Sequence, residues 1–569
     1  MLDILIQLSL LILAALVISF IARILKQPAI IAYILTGIIV SPFFLDIISE
    51  NETVLTFSNL GVVFLLFVVG LHLNPKVIKE VGFISLTVGL VQIILTALAG
   101  FFIATWLGFA FITSLYIAFA LTFSSTIIIT KILSDKSDLD TFYGKISVGI
   151  LILQDFVVIF ILMFLSYFSD GFKLNIPIYS IVYAVIAIAF LIFASIYILP
   201  SITKFVAKNQ ELLFLFSVGW CFILAALFYK LGFSMEIGAL LAGMSLSVSP
   251  YHTEISSKVR PLRDFFIIIF FILLGLQVNI NSISNILKPA LIFSAFVILF
   301  KFFTVATSLG IAGYTKRTSF QTGVSLGQIS EFSFIMIALG VSIGHISTEI
   351  SSLITLTGLI TIAFSSYMMI YSNKIFQPLS SILSIFERKK IKERTLKRKK
   401  YDFILFGYNR IGFSILKSFI KLKKNYIIVD FNPETIKKLS SRKVECVYGD
   451  AEDTDFLNEL KIDKAKLIIS TIPNPEINLL ILNKIRKANE NSVVILTAHQ
   501  IKDAFKFYEQ GADYVIMPHF LGGQYTAKLL EKLRTDKKTY KKEKETQVKS
   551  LKERVEEGHE HPKIEKHEA

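Results

Sequence analysis

Apolar runs close to the ~20 residues that a helix needs to cross a bilayer follow one another along most of this chain. Thirteen of them begin near residues 2, 28, 53, 82, 109, 142, 177, 210, 234, 264, 287, 319 and 347. So many cannot be shielded inside soluble domains, and with 54% hydrophobic and 18% charged residues most of the chain must face lipid. The formal charge of +15 does not point to nucleic acid. In so apolar a chain, basic residues belong to loops held against anionic headgroups, and the lipid bilayer is the expected partner. Two cysteines, Cys221 and Cys446, are too few for a disulfide framework and are expected to be free thiols. The opening segment lacks a basic start and a small-residue cleavage site, so it is expected to stay as a helix.

Placing alternate connections on one side of the membrane collects fourteen Lys and Arg residues, from Arg23 to Arg317, against Lys173, Lys230 and Lys288 on the other. This positive-inside bias puts the N-terminus outside and everything after the thirteenth run in the cytoplasm, with the cell inner membrane as the location. The expected domains are a transmembrane domain over 1–375, a basic linker over 376–400, a further folded domain over 401–530 and a charged tail over 531–569.

The membrane region repeats itself. IAYILTGIIVSP, with Gly37, echoes IGALLAGMSLSVSP, with Gly243; LLFVVGLHLN, with Gly70, echoes FFILLGLQVN, with Gly275. The near-constant offset relates runs seven helices apart, and an odd separation reverses orientation. Inverted-topology repeats are typical of secondary transporters, whose substrate site lies near the midplane between the copies.

Asp155 lies inside GILILQDFVVIFILMFL, where an ionised carboxylate costs about 2.5 to 3.5 kcal/mol on insertion scales and so needs a wet cavity or a partner. One acid that takes up either a proton or a metal ion is the basis of exchange, and Asp155 is the candidate ligand of a transported K+ or Na+. Lys301, equally deep, requires an acidic partner, for which Asp155 and Glu331 are candidates, or a cluster of carbonyls. Ser124, Ser125 and Thr126 in one run and Gln328 and Glu331 in another fall at equivalent places in the two repeats. Interrupted helices are expected there, with freed backbone groups contributing to the ion site.

LTFSSTIIITKIL, GILILQD, IGALLAGMSLS, FFILLGLQV and LGQISEFSF together resemble the Kef-type branch of the monovalent cation:proton antiporter superfamily. The resemblance covers almost the whole membrane region. Its most specific piece is the pair Gln154-Asp155, standing where electrogenic sodium-selective relatives carry two adjacent acids. It implies that Asp155 carries ion and proton, and that one carboxylate fewer exchanges potassium, or else sodium, electroneutrally for a proton. The third run ends Gly70-Leu71-His72-Leu73, with a histidine where the family usually has an acid.

Beyond the basic run 387–400, YDFILFGYNRIGFSILKSFI reads as strand, turn and amphipathic helix, and NYIIVD as a second strand ending at Asp430. This opens a cytoplasmic α/β Rossmann-like domain. Gly407 permits the tight turn through Asn409, Arg410 and Ile411, and Gly412 permits close helix packing. Helix-end amides there can hold a pyrophosphate. Asp430 stands at the usual ~20-residue distance for a ribose hydroxyl. Asn409 replaces the middle glycine of the fingerprint. CVYGDAEDTDFL, KLIISTIPN, SVVILTAHQ and ADYVIMP supply further strand ends. The segment from about 401 to 520 resembles the TrkA-N, or RCK, domain. That likeness implies a nucleotide pocket lined by Gly407, Gly412, Asp430, Gly449 and Asp450, holding a regulatory NAD(H) or AMP-like ligand, in domains that pair into a homodimer. The tail alternates Lys and Glu and should be a solvated helix or disordered; its His559, His561 and His567 are read as polar rather than metal-binding.

The reading is a ligand-gated potassium:proton antiporter, a secondary transporter with no catalytic metal, and an ancillary regulatory subunit is compatible with it. A cation channel gated by the same domain would need a filter loop of the TVGYG kind, which the sequence does not contain. A membrane-bound NAD-dependent redox enzyme would need haem, flavin or cysteine ligands, which it does not offer.

Overall fold

The computed structural model describes residues 2–42, 52–72, 82–136, 138–139, 141–167, 191, 193–231, 235–278, 283–387, 400–408, 411–449, 451, 454–533 and 536–556. The chain forms two compact units, one of residues 1–139 and 143–390, the other of residues 391–569 with 140–142.

The first unit is wholly helical. Its helices are α1 (Leu2–Ile24), α2 (Ala29–Val40), α3 (Glu52–His72), α4 (Phe83–Trp106), α5 (Phe111–Thr122), α6 (Thr126–Asp135) and α7 (Phe142–Tyr167). A π-helical turn, Ala194–Ile198, leads into α8 (Leu199–Val206), α9 (Gln210–Lys230), α10 (Met235–Ser247) and α11 (His252–Leu276). Then come α12 (Ile283–Ala312), α13 (Lys316–Ser325), α14 (Glu331–Ser342), α15 (Thr348–Ile370) and α16 (Ser372–Leu383). Among the described residues, seven helical runs are long and apolar enough to cross a membrane and five shorter apolar helices accompany them. The start of the seventh expected run, near residue 177, lies outside the described residues. Packing is inverted relative to a soluble protein: Leu16, Phe20, Phe102 and Trp106 are exposed while Thr36, Gln92, Ser147 and Thr361 are buried, as expected where the solvent is hydrocarbon and polar groups must pair internally.

The repeat is visible as reciprocal contact. A Cβ built on Gly37 would lie 2.8 Å from Cα of Gly275 and collide with the carbonyl of Ile272, and one built on Gly275 would lie 2.9 Å from Cα of Gly37 and collide with the carbonyl of Ile34. Gly70 and Gly243 do the same, each meeting the other's Cα and the carbonyl of Leu240 or Phe67. Every glycine therefore faces the carbonyl three residues before its partner. Exchanging Gly37 with Gly243 and Gly70 with Gly275 turns the α2–α11 seam into the α10–α3 seam, which is what a pseudo-two-fold relation between the repeats requires.

Two membrane segments are broken, at equivalent places in the repeats. Between α5 and α6, Phe123 and Ser125 are extended, and the Ser125 hydroxyl caps α6 by accepting from the Ile128 amide at 3.2 Å. Between α13 and α14, Ser330 caps α14 by accepting from the Phe332 amide at 3.2 Å, while Ser333 Oγ accepts from the Ser330 amide at 3.3 Å. Serine is suited to this because its short hydroxyl satisfies amides that a helix start leaves unpaired.

The second unit is a six-stranded parallel sheet in the order β3-β2-β1-β4-β5-β6. Its strands are β1 (Phe403–Phe406), β2 (Tyr426–Asp430), β3 (Cys446–Tyr448), β4 (Leu467–Ser470), β5 (Val493–Thr497) and β6 (Tyr514–Ile516). Their nearly continuous apolar runs fit strands covered on both faces. Helices α17 (Gly412–Lys421), α18 (Pro433–Ser441), α19 (Thr454–Glu459), α20 (Pro475–Ala488) and α21 (Ile501–Glu509) make the crossovers. The order reverses between β1 and β4, and a crevice at the carboxyl ends of these two strands is the natural ligand position.

After β6 come α22 (Pro518–Leu533) and α23 (Lys537–Glu556). Part of the expected tail is thus a helix tied back to α17: Lys417 pairs with Glu553, Arg554 donates to Ser414 Oγ at 2.7 Å, and both cations lie over the Phe413 ring. These contacts order a segment that has no apolar core. The three tail histidines lie outside the described residues.

The seams yield a stability test. Gly243→Val drives a side chain into the backbone of α3, whereas Gly219 on α9 has open space around it. In detergent, the Gly243→Val protein should melt lower than the Gly219→Val protein by a margin corresponding to about 1–3 kcal/mol or more, the usual cost of overpacking.

Candidate functional site

Both helix breaks converge on Lys301. Its ammonium, fully buried on α12, donates to the Phe123 carbonyl at 2.9 Å, the Gln328 carbonyl at 2.8 Å and Ser124 Oγ at 3.1 Å. Ser124 Oγ in turn donates to the Leu326 carbonyl at 2.9 Å, so the first break is stitched to the second. Of the two partners considered for Lys301, the carbonyl cluster is the one present: no carboxylate approaches it within ion-pair distance among the described residues. The physical reason is local. The Phe123 carbonyl caps the end of α5 and the Gln328 carbonyl lies in the break after α13, both outside a helical ladder, and a cation suits them.

The acids sit at the opposite poles. Thr126, first residue of α6, donates its hydroxyl to Asp155 Oδ2 at 3.0 Å. Glu331, first residue of α14, is buried, accepts from Ser330 Oγ at 3.5 Å and lies beside Ser125. Asp155 alone of the three charged groups keeps partial accessibility. Its neighbour Gln154 is buried, accepts from the Ser124 amide at 2.8 Å and donates to Gln92 Oε1 at 2.6 Å. Gln328 accepts from Ser365 Oγ at 2.7 Å, while its Nε2 is buried without a hydrogen-bond partner. All eight residues singled out in the membrane sequence, Ser124, Ser125, Thr126, Gln154, Asp155, Lys301, Gln328 and Glu331, therefore belong to one connected cluster.

Close to this cluster is a cavity of about 350 Å³ between α3, α10 and α11 on one side and α7 and α14 on the other. Leu162, two turns along α7 from Asp155, and Ile335, one turn along α14 from Glu331, line it together with Asn59 and Gln277.

In the second unit, Gly407 follows β1 with φ +84°, a conformation costly for any side chain, and a Cβ there would meet Thr471 Oγ1 at 2.5 Å. Gly412 starts α17 against the Gly407 carbonyl, with Ile411 as the residue before it. Asp430, buried at the end of β2, is oriented by two backbone amides, that of Tyr408 to Oδ2 and that of Asn432 to Oδ1, both at 2.8 Å. These features meet at the β1–β2 end of the switch-point crevice. Gly449 donates its amide to the Asp430 carbonyl at 3.1 Å, but its missing side chain leaves room for the Phe456 ring, so packing accounts for this glycine. Asn409, Arg410 and Asp450 lie outside the described residues. Burial, with Glu445 nearby, pushes the Cys446 thiol up to about 11, so it is protonated and unreactive at neutral pH.

Residues 10–369 match the family described as "Sodium/hydrogen exchanger, transmembrane", and residues 403–518 match the TrkA-N domain. The chain belongs to the sodium/hydrogen exchanger family. It is accordingly a multi-pass membrane protein and a cation/proton antiporter with a TrkA-N domain, a secondary transporter rather than an enzyme. Similar to it are the putative cation/proton antiporter YbaL of Escherichia coli strain K12, 25% identical over 526 residues (88% of this chain, 93% of the relative), and the glutathione-regulated potassium-efflux system protein KefC of Escherichia coli O45:K1, 24% identical (91% and 83%). The K(+) efflux antiporter 5 of Arabidopsis thaliana is 30% identical over 322 residues, 55% of this chain and 57% of the relative.

Sequence reasoning missed four groups that hold this exchanger's cluster together: Gln92 and Thr96 on α4, Ser333 on α14, whose hydroxyl donates to the Ala120 carbonyl at 2.6 Å, and Ser365 on α15. Gln92 alone carried a usable signal, a lone amide in the middle of the apolar run LTVGLVQIILTALAG. The Ser and Thr residues look like ordinary helix hydroxyls that bond to their own turn.

Replacing Lys301 by Met strands two buried carbonyls, each at a cost of about 1–3 kcal/mol. The Lys301→Met protein should therefore lose several degrees of melting temperature in detergent even where ion binding is not being assayed. An unchanged melting curve would mean that the breaks do not depend on the ammonium.

Proposed function

We propose that the membrane unit exchanges potassium for a proton, one for one, on the carboxylate of Asp155, and that a nucleotide bound to the TrkA-N domain regulates this exchange. The observation that carries the reading is the separation of Lys301 from Asp155. The lysine's charge is taken up by backbone carbonyls, so among the described residues Asp155 is held by the Thr126 hydroxyl alone and remains available to a mobile cation. A single carboxylate that trades one proton for one monovalent ion moves no net charge. Ligands for the cation are the Asp155 carboxylate, the Thr126 hydroxyl and water.

Potassium is favoured over sodium by the names of two relatives, a potassium-efflux system and a K(+) efflux antiporter, together with the neutral Gln154 beside Asp155. The fourteen-to-three bias of basic residues supports an outer N-terminus and a cytoplasmic TrkA-N domain. With that orientation the 350 Å³ cavity opens towards the outside and serves as the outer approach to Asp155. In the cytoplasmic domain, Asp430 is aimed by two amides to accept a ribose hydroxyl, and the first-turn amides of α17 stand where a pyrophosphate would lie. The ligand is an NAD(H)- or AMP-like nucleotide. The working unit is a homodimer, with room for an ancillary subunit.

In proteoliposomes with imposed potassium or sodium gradients, proton movement should be independent of membrane potential and absent from the Asp155→Asn protein. Full exchange by that variant would remove Asp155 from the mechanism. For the soluble domain, Asp430→Ala should weaken nucleotide binding by calorimetry roughly tenfold or more, the loss of a charge-assisted hydrogen bond. Equal affinity would place the nucleotide elsewhere.

A further inference from the structure

Gln92 lies at the middle of α4, fully buried, and takes no part in the exchange chemistry described above. Its amide is nevertheless fully used. Nε2 donates to the Thr122 carbonyl and to Thr96 Oγ1, both at 3.1 Å, and Oε1 accepts from Gln154 Nε2 at 2.6 Å. Gln154 then accepts from the Ser124 amide through its own Oε1 at 2.8 Å. The result is a closed ring: Thr122, Phe123 and Ser124 of the first break, bridged by two glutamine side chains.

The ends of this ring fix its sense. A backbone carbonyl can only accept and a backbone amide can only donate. The Thr122 carbonyl therefore requires Nε2 of Gln92, which turns Oε1 of Gln92 towards Gln154. Gln154 must answer with Nε2, which turns its Oε1 to the Ser124 amide. Flipping one amide alone would set nitrogen against nitrogen or oxygen against oxygen in the centre, and flipping both would leave each backbone group facing its own kind. The two backbone ends thus decide the orientation of both amides.

We infer that Gln92 is a positioning residue for the ion site: its amide clasps Gln154 and the α5–α6 break, and so sets how tightly the cation is held at Asp155. Three consequences follow from the geometry. The single side-chain oxygen of Gln154 is turned to the Ser124 amide, so Gln154 shapes the site. Asp155, the next residue on α7, has its backbone anchored to the break whose far side supplies Thr126. Finally, the clasp neutralises the last carbonyl of α5 at Thr122, while Lys301 takes the next, at Phe123.

This inference rests on exchange at Asp155, and the test separates the two. The full-length protein in proteoliposomes is titrated with potassium, and separately sodium, between about pH 6 and 9. The variants are Gln92→Leu, Gln92→Glu and Asp155→Asn. Gln92→Leu leaves the Thr122 carbonyl and Gln154 Nε2 unpaired and should raise the half-saturating cation concentration roughly tenfold, with a much smaller change in the saturating rate. Gln92→Glu should rescue affinity at low pH, where a protonated carboxyl can still accept from Gln154 and donate to Thr122. It should lose affinity relative to wild type as pH rises and that donor disappears. A residue that merely fills space would give both variants the same pH profile relative to wild type, and that result overturns the inference, as does a wild-type half-saturation in Gln92→Leu. If the leucine variant does not fold, the pH profile of the glutamate variant decides alone. Exchange lost in Asp155→Asn but untouched in Gln92→Leu sinks the role of Gln92 only. Exchange retained in Asp155→Asn sinks both.

Discussion

A helix that stops inside a membrane leaves carbonyls at one end and amides at the other with no water to receive them, and this chain does so twice at the same depth. The arrangement survives because charge of the right sign meets each pole. Lys301 takes the carbonyl ends of the two breaks, through Phe123 and Gln328, and the acids Asp155 and Glu331 stand at the amide ends of α6 and α14. The cluster is in this sense one electrostatic object. Removing its cation is a defect in the fold before it is a defect in transport.

The frame that holds the cluster is built differently, with glycine in place of charge. Along α2–α11 and α3–α10, opposed glycines bring backbones to within a Cβ's width of each other, so these four helices cannot slide without separating. Close approach of small residues is the means of helix association available where lipid removes any hydrophobic drive. The polar breaks lie outside these seams, in segments held by hydrogen bonds that can be exchanged one for another. The 350 Å³ cavity lies between the two kinds of packing, where rigid and polar parts meet.

Much of this was legible in the sequence because membrane constraints write themselves in simple terms. Apolar runs mark the spans, a fixed offset between Gly37 and Gly243 and between Gly70 and Gly275 marks the repeat, and Asp155 and Lys301 stand out against hydrocarbon. Six apolar strand ends with a βαβ opening foretold the parallel sheet, and all six strands form. What stayed hidden depends on which polar groups meet across helices. Lys301 chooses carbonyls over acids only once two breaks are crossed, and a carbonyl has no letter in the sequence. Gln92 draws its meaning from Gln154, 62 positions away. The charged tail reads as solvated by composition, and its ordering onto α17 depends on single contacts of Glu553 and Arg554.

The make-up of the cluster bears on the exchange proposed at Asp155. Lys301 and Glu331 are both buried and both tied to the breaks, the lysine on the carbonyl of Gln328 and the acid at the start of α14. Asp155 is the remaining titratable group and the only one of the three with partial accessibility. A second acid at position 154 would add a carboxylate that nothing nearby neutralises, since the lysine is already engaged. The amide at Gln154 avoids that charge and is itself tied, through Gln92 and Ser124, into the break. The same substitution that makes the site electrically simple therefore also makes it mechanically firm, and the two properties cannot be altered independently at that position.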